Sequence, residues 1–289
     1  GPGLITGAAD DDPSGIATYS QAGAVFGYAL LWTLSLCLPL MIAVQEAVAR
    51  IGAVTGNGLA KVTSEFYSRR VLFAVVALVF VANVINIGAD IAAVTASLQL
   101  MIPFTAVPIA ISFTALVVAL EVFIGYHTYA KVLKVFAIAL IAYVATAIVV
   151  APNWSEIALS TFLPRFEWKF EYWFMVVAIL GTTISPYMFF WQAAEEVEEL
   201  HDADAAGREH RTIKDLRQDT AMGMTISQVG SWFMMITTAA VLHAHGITNI
   251  NSAADAASAL EPLVHSFPNA GTWAKAIFAI GVVGLGLLG

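Results

Sequence analysis

Two short stretches concentrate oxygen-bearing side chains in an otherwise apolar sequence: Asp10-Asp11-Asp12-Pro13-Ser14-Gly15 and Gly181-Thr182-Thr183-Ile184-Ser185-Pro186-Tyr187. Each carries a proline with Gly or Ser beside it. Proline removes a backbone donor and clashes with the preceding turn, so each stretch predicts a break in a helix. Unwound carbonyls, half-helix ends and neighbouring side-chain oxygens at such breaks can coordinate a cation. Asp12 carries most weight. A carboxylate near mid-bilayer costs about 2.5–3.5 kcal/mol even on the lenient insertion scale, so such a residue is usually functional or paired. A plainer role is also open to it, as N-cap of the following half-helix, with Asp10 and Asp11 in a water-filled loop. Opposite it, the Ser185 hydroxyl and the Thr182 carbonyl are the expected neutral oxygens. Ser and Thr also commonly satisfy backbone groups freed by a transmembrane proline.

The elements that must position these residues are membrane spans. Of the 289 residues, 59% are hydrophobic and 12% charged, against roughly 45–50% and 25% in an average soluble domain. A span needs roughly 20 apolar residues. Charge-poor runs of that kind cover 1–26, 28–51, 71–102, 105–123, 131–150, 172–192, 221–243 and 273–289. All read as helices, because an open strand edge cannot sit in lipid. The expected fold is therefore an all-α multi-span membrane protein, a single transmembrane domain over 1–289. Arg50, Lys61, Arg69 and Arg70 crowd the second connection, Lys131 and Lys134 follow the fourth span, and Arg208, Arg211, Lys214 and Arg217 crowd the sixth. Only Arg165, Lys169 and Lys275 fall on the other side. The positive-inside rule then places the even connections and the amino-terminal end in the cytoplasm.

Five spans separate the two breaks, the signature of inverted repeats whose broken helices face each other at the midplane. The first repeat would cover about 1–150 and the second would begin within about 171–289. Both chain ends lie inside apolar stretches with no signal-peptide pattern, as expected for a fragment of about eight helices. The net charge of −8 argues against nucleic acid, which wants a basic face. The single cysteine, Cys37, excludes an intrachain disulfide and a thiolate-rich metal site and reads as an inert buried thiol.

Other polar residues are more ambiguous. Asp90, within Asn86-Ile87-Gly88-Ala89-Asp90, lines the ion path or pairs with a basic residue. Glu195-Glu196-Val197-Glu198-Glu199 opposes the helix dipole and contains a like-charge i,i+4 pair. It is either an acidic vestibule that concentrates cations or a solvated face balanced by Arg208 and Arg211. His127, His201, His210, His243, His245 and His265 lack zinc-site context and read as solvent-facing. Gly23-x-x-x-Gly27 is a small-xxx-small packing face.

Gly1-Pro2-Gly3, Asp12-Pro13, Ala17-Thr18 and Gln21-Ala22-Gly23-Ala24 resemble the first helix of Nramp-type divalent metal transporters. Gln45, Ala49-Arg50-Ile51-Gly52, Val54-Thr55-Gly56 and Leu59-Ala60 resemble that family's second helix, Asp90-Ile91-Ala92 its third and Gly181 to Pro186 its sixth. The resemblance implies a LeuT-like inverted repeat with broken helices one and six. It also carries departures. The family's Asp-Pro-Gly-Asn is here Asp12-Pro13-Ser14-Gly15, without the amide. Its Met-Pro-His is here Ser185-Pro186-Tyr187, without the thioether or the proton-linked histidine. Its helix-three glutamate is here Ala93. These changes resemble the Nramp-related magnesium transporter branch.

The ligand chemistry points the same way. A thioether favours softer transition metals, whereas Mg²⁺ wants oxygen and gives up its waters reluctantly. Asp12, Ser185 and the small Gly15 make a roomy all-oxygen site, with Thr182, Asp11 and Tyr187 as further metal-site candidates. The expected function is alternating-access transport of Mg²⁺, and also Mn²⁺, through the lipid bilayer of a bacterial plasma membrane. It would be uncoupled from protons, with no bound cofactor and no enzymatic activity. A proton-coupled Mn²⁺/Fe²⁺ symporter of standard Nramp type is the nearest alternative. An intramembrane aspartyl protease using Asp12 and Asp90 is the alternative from another class, and a non-transporting scaffold or receptor is a third.

Overall fold

A computed structural model of the chain describes residues 1–10, 12–123, 138–150, 152–205, 207, 212–250, 253–265 and 268–287. These residues are helical or connecting, with no strand among them. The helices are α1 (Pro2–Asp10), α2 (Pro13–Phe26), α3 (Leu31–Thr55), α4 (Leu59–Phe66), α5 (Arg69–Leu98), α6 (Ala106–Phe123) and α7 (Ile138–Val150). They continue with α8 (Trp154–Phe162), α9 (Phe170–Thr183), α10 (Pro186–Ala205), α11 (Ile213–Val241), α12 (Ala253–Ser258), α13 (Glu261–Val264) and α14 (Ala270–Gly286). A 3₁₀ turn at His243–His245 follows α11. Among the described residues, Leu31–Thr55, Arg69–Leu98, Phe170–Ala205 and Ile213–His245 are long and apolar enough to cross a membrane. Ala106–Leu120, Ile141–Val150 and Ala270–Gly286 are shorter apolar helices.

Hydropathy marks where a helix suits lipid, not where its hydrogen bonding stops. The sixth expected span ends at residue 192, yet α10 runs on through the glutamates to Ala205, because Glu, Ala and Leu are strong helix formers. The seventh begins at residue 221 by hydropathy, yet α11 starts at Ile213, where Thr212 and Asp215 form a capping box. Part of the fifth expected span, together with His127, Lys131 and Lys134, lies outside the described residues.

Helix α11 is the most enclosed of the candidate spans and α5 the least. Around α11 pack α1, α2, α3 and α7, which buries Ser227, Ser231, Thr237 and Thr238 along it. The two glycines of Gly23-x-x-x-Gly27 do different jobs. A Cβ at Gly23 would collide with the Met235 carbonyl and the Thr238 hydroxyl of α11, so this glycine lets α2 lie against its neighbour. Gly27 instead ends α2 with φ +58°, its N–H donating to the Gly23 carbonyl at 3.0 Å. Helix α5 sends Phe73, Leu78, Phe80 and Ile85 outward, which water would penalise and lipid accepts. Its inner face carries the buried Asp90, Val94, Thr95 and Ser97.

Candidate functional site

The first break lies between α1 and α2. Asp12 is extended, with φ −65° and ψ 169°, as expected for a residue before proline. Pro13 opens α2, where its missing N–H costs nothing. The Asp12 carboxylate is buried, with 1% of the residue exposed. The Gly15 N–H and the Ser14 hydroxyl each lie 2.7 Å from Asp12 Oδ1. The capping role is therefore real, but it occupies only one oxygen. Oδ2 turns towards two other helices, receiving the Asn86 amide at 2.9 Å and the Tyr187 hydroxyl at 2.9 Å.

The second break lies between α9 and α10, and Pro186 again opens the following half-helix. Ser185 is 2% exposed. Its hydroxyl points back at α9, 2.8 Å from the Thr182 carbonyl and 3.1 Å from that of Gly181. The Thr183 hydroxyl is paired with Tyr19 of α2 at 2.8 Å, a second link between the broken helices. Tyr187, two residues beyond Ser185, makes the direct bridge to Asp12.

Helix α5 supplies a third wall that the sequence reading left unassigned. Asn86 Nδ2 donates to Asp12 Oδ2 and, at 3.0 Å, to Asp90 Oδ2. The Ser14 N–H donates to Asp90 Oδ1 at 3.1 Å, and the Ser14 hydroxyl lies 2.8 Å from Asn86 Oδ1. Asn86 and Ser14 are thus site residues missed from the sequence. The available signal was an i,i+4 pair of polar residues, Asn86 and Asp90, on a 30-residue helix that is otherwise largely apolar. Among the described residues, Asp90 pairs with no basic residue. Among the described ion pairs, none involves Asp12 or Asp90. No group of three or more His, Cys, Asp or Glu that could hold a metal occurs among the described residues. The polar side chains around the carboxylates are hydroxyls and one amide, so the available donors to a cation are hard oxygens.

The structure brings Asp12 and Tyr187 into contact and sets the Ser185–Thr182 pair at the facing break. Gly15 donates its N–H to the capping Asp12, and a Cβ there would sit 3.4 Å from both Asp12 Oδ1 and the Asp10 carbonyl, so a side chain at 15 would point into the site. Asp11 lies outside the described residues. Asp10 is buried, not in a water-filled loop, and receives the Ser227 hydroxyl at 3.0 Å. Glu195 and Glu196 are buried, and Trp191 and Gln192 donate to them at 2.9 and 3.0 Å. Those two are therefore neither a solvated face nor an open vestibule. Their proposed counter-charges, Arg208 and Arg211, lie outside the described residues, as does His210. His201, His243, His245 and His265 are exposed, and Cys37 is buried and free. A cavity of about 550 Å³ rises from Pro13 along α2 to Gln21, with Thr18, Ala93, Ser97 and Met175 among its walls.

Fold and site define a class: a helical membrane protein whose two broken helices meet at a buried carboxylate. The chain matches the family model described as natural resistance-associated macrophage protein-like over residues 3–289 and belongs to that Nramp family. It is 27% identical over 297 residues to the divalent metal cation transporter MntH of Yersinia pestis (strain Pestoides F), covering 99% of this chain and 68% of that protein. It is 26% identical over 273 residues to the divalent metal cation transporter MntH of Chromohalobacter salexigens, covering 91% of this chain and 62% of that one. The manganese transporter of Eremococcus coleocola, solved with an aromatic bis-isothiourea substituted compound, superposes with a TM-score of 0.77 at 18% identity. That likeness concerns the fold and covers 100% of this chain and 61% of the solved one. The curated relatives are transporters, not enzymes. The protease alternative also fails on geometry, since the Asn86 amide stands between the Asp12 and Asp90 carboxylates where a protease pair would share a proton.

Proposed function

We propose that this chain carries divalent metal cations, Mg²⁺ and also Mn²⁺, across a bilayer by alternating access, without moving protons alongside. The observation that carries the reading is the contact across the two breaks. The Tyr187 hydroxyl, just past Pro186, donates to Asp12 Oδ2, just before Pro13, at 2.9 Å. A buried carboxylate in that place, with a second one nearby and no described basic side chain paired to either, is an anionic site that a cation completes. The ion-binding residues are Asp12, Ser185, the Thr182 carbonyl, Gly15, Asp11 and Tyr187. The oxygen-only donor set supports a hard cation. The names of the bacterial relatives support divalent metals as the cargo and a bacterial plasma membrane as the location. Lysine and arginine placement supports a cytoplasmic amino-terminal end, and the matched breaks support an inverted repeat.

Uncoupled transport is supported by Tyr187 and Ala93, which by resemblance stand where the family keeps a histidine and a glutamate. Neither can take up and release a proton near neutral pH. The inside-negative potential acting on a doubly charged ion then supplies the drive. One observation favours a proton-coupled Mn²⁺ or Fe²⁺ symporter instead: Asp90, linked to Asp12 through a single amide, is a carboxylate able to hold a proton.

The test is flux in proteoliposomes, with a metal-sensitive dye and a pH dye inside and the potential clamped by valinomycin. Mg²⁺ and Mn²⁺ should enter without acidifying the lumen. Stoichiometric acidification would replace the uncoupled reading with the symporter. Free passage of Cd²⁺ with exclusion of Mg²⁺ would overturn the hard-cation assignment.

A further inference from the structure

The hydrogen bonds around the Asn86 amide are one proton short. The Ser14 hydroxyl carries one proton, yet it lies 2.7 Å from Asp12 Oδ1 and 2.8 Å from Asn86 Oδ1, both acceptors. Only one can be served. At its other end, Asn86 Nδ2 spends both protons, one on Asp12 Oδ2 at 2.9 Å and one on Asp90 Oδ2 at 3.0 Å. The amide nitrogen thus links two buried carboxylates as their shared neutral donor.

Turning the amide by half a turn about its last side-chain bond reverses both ends. The nitrogen then donates to Ser14 Oγ, freeing the hydroxyl proton for Asp12 Oδ1, and every group at that end is satisfied. The carbonyl oxygen then faces Asp12 Oδ2 and Asp90 Oδ2 at the distances the nitrogen held. Three oxygens that close repel one another unless a cation lies among them or Asp90 carries a proton, and with both carboxylates ionised the cation is what is needed. The two distances from the amide position, 2.9 and 3.0 Å, suit one: oxygens at about 2.0–2.1 Å from Mg²⁺ in near-octahedral geometry lie about 3 Å from their neighbours.

We infer that Asn86 is a ligand of the transported ion, donating to the carboxylates through Nδ2 when no metal is bound and binding the metal through Oδ1 after a flip of its amide. The inference rests on the proposed cation site and deepens it. Asn86 then supplies an amide oxygen from α5, and Asp90 joins the same ion. The flip also couples occupancy to the first break, because Ser14 changes from a shared donor to a donor committed to Asp12.

The test is Mn²⁺ binding by the full chain in detergent, read from the electron paramagnetic resonance signal of free Mn²⁺, with size-exclusion profiles checking the fold of each variant. Asn86→Leu removes both ends of the amide and should weaken Mn²⁺ binding at least about tenfold, or about 1.4 kcal/mol. Asn86→Asp keeps an oxygen but cannot donate to the carboxylates, and should bind within a few-fold of wild type or tighter. If Asn86 only positions Asp12 and Asp90 as a donor, both variants lose binding alike, and the ligand role is overturned. Wild-type binding in both variants overturns it as well. Either failure leaves the wild type binding Mn²⁺ and Asp12→Ala not binding it. A wild type that binds neither Mn²⁺ nor Mg²⁺ removes the cation site itself, and the inference with it.

Discussion

The two helix breaks use the same device with different chemistry. In each, a polar residue stands directly before a proline that opens the next half-helix. At the second break that residue is Ser185, and its hydroxyl turns to carbonyls three and four residues back in its own helix. A neutral hydroxyl settles its hydrogen bonds locally. At the first break the residue is Asp12, and no local set of donors suffices for a buried carboxylate. It draws in Ser14, Gly15, Asn86 and Tyr187, from α2, α5 and α10. The charged break thereby organises the region, and the neutral break adds an uncharged wall. Among the described residues no basic side chain pairs with that anionic charge, which is the ground for the proposed cation site.

Removing that charge is the largest expected effect. Asp12→Ala should reduce Mg²⁺ and Mn²⁺ flux to background while the protein stays folded. It leaves buried donors unpaired, at a cost of about 1–3 kcal/mol each. Asp12→Asn keeps an oxygen for the Gly15 and Ser14 donors, removes the charge, and turns an NH₂ towards the Asn86 and Tyr187 donors. Background flux in both variants, with each still folded by size exclusion, is the expected result, and near wild-type flux in either would dissolve the contrast between the breaks.

Making the neutral break soft should come next. Ser185→Met should shift preference towards Mn²⁺, Fe²⁺ or Cd²⁺ over Mg²⁺ by about tenfold, because a thioether suits softer metals. Competition assays in proteoliposomes read it. An unchanged Mg²⁺ preference would show that the second break does not touch the ion.

The bridge between the breaks gives a smaller change. Tyr187→Phe removes one charge-assisted hydrogen bond, worth about 1.5–3 kcal/mol in stability, and should lower but not abolish flux. Tyr187→His places at the bridge a group that titrates near pH 6.5. Metal flux should then become pH-dependent between about pH 5 and 8, whereas wild-type flux should not. The smallest effect belongs to the Tyr19–Thr183 link. Thr183→Val should cost about 0.5–1.5 kcal/mol of stability and leave metal selectivity unchanged, since Thr183 faces Tyr19 and not Asp12.

Much of this was legible along the chain. The long apolar runs, the two prolines beside Gly and Ser, and Asp12 with its cap to Gly15 all follow from rules that act within a few residues. The reading went astray where a residue's surroundings come from elsewhere. Asp10 looked like part of a wet loop, but α11 covers it and Ser227 reaches it. Glu195 and Glu196 looked solvated or vestibular because four carboxylates in five positions suggest water, yet Trp191 and Gln192 hold them in the interior. Asn86 looked like context for Asp90.

The sequence by itself determined which segments are helical and lipid-compatible, where two of them break, and that an anionic oxygen stands at one break and neutral oxygens at the other. Hydropathy, proline geometry and side-chain charge are properties of short stretches. Only the tertiary structure decided that Tyr187 reaches Asp12, that Ser185 turns back on its own helix, and that Asn86 stands between two carboxylates. Those contacts join residues 175 and 74 positions apart in the first and third cases, and only helix packing sets the register that brings them within hydrogen-bond reach.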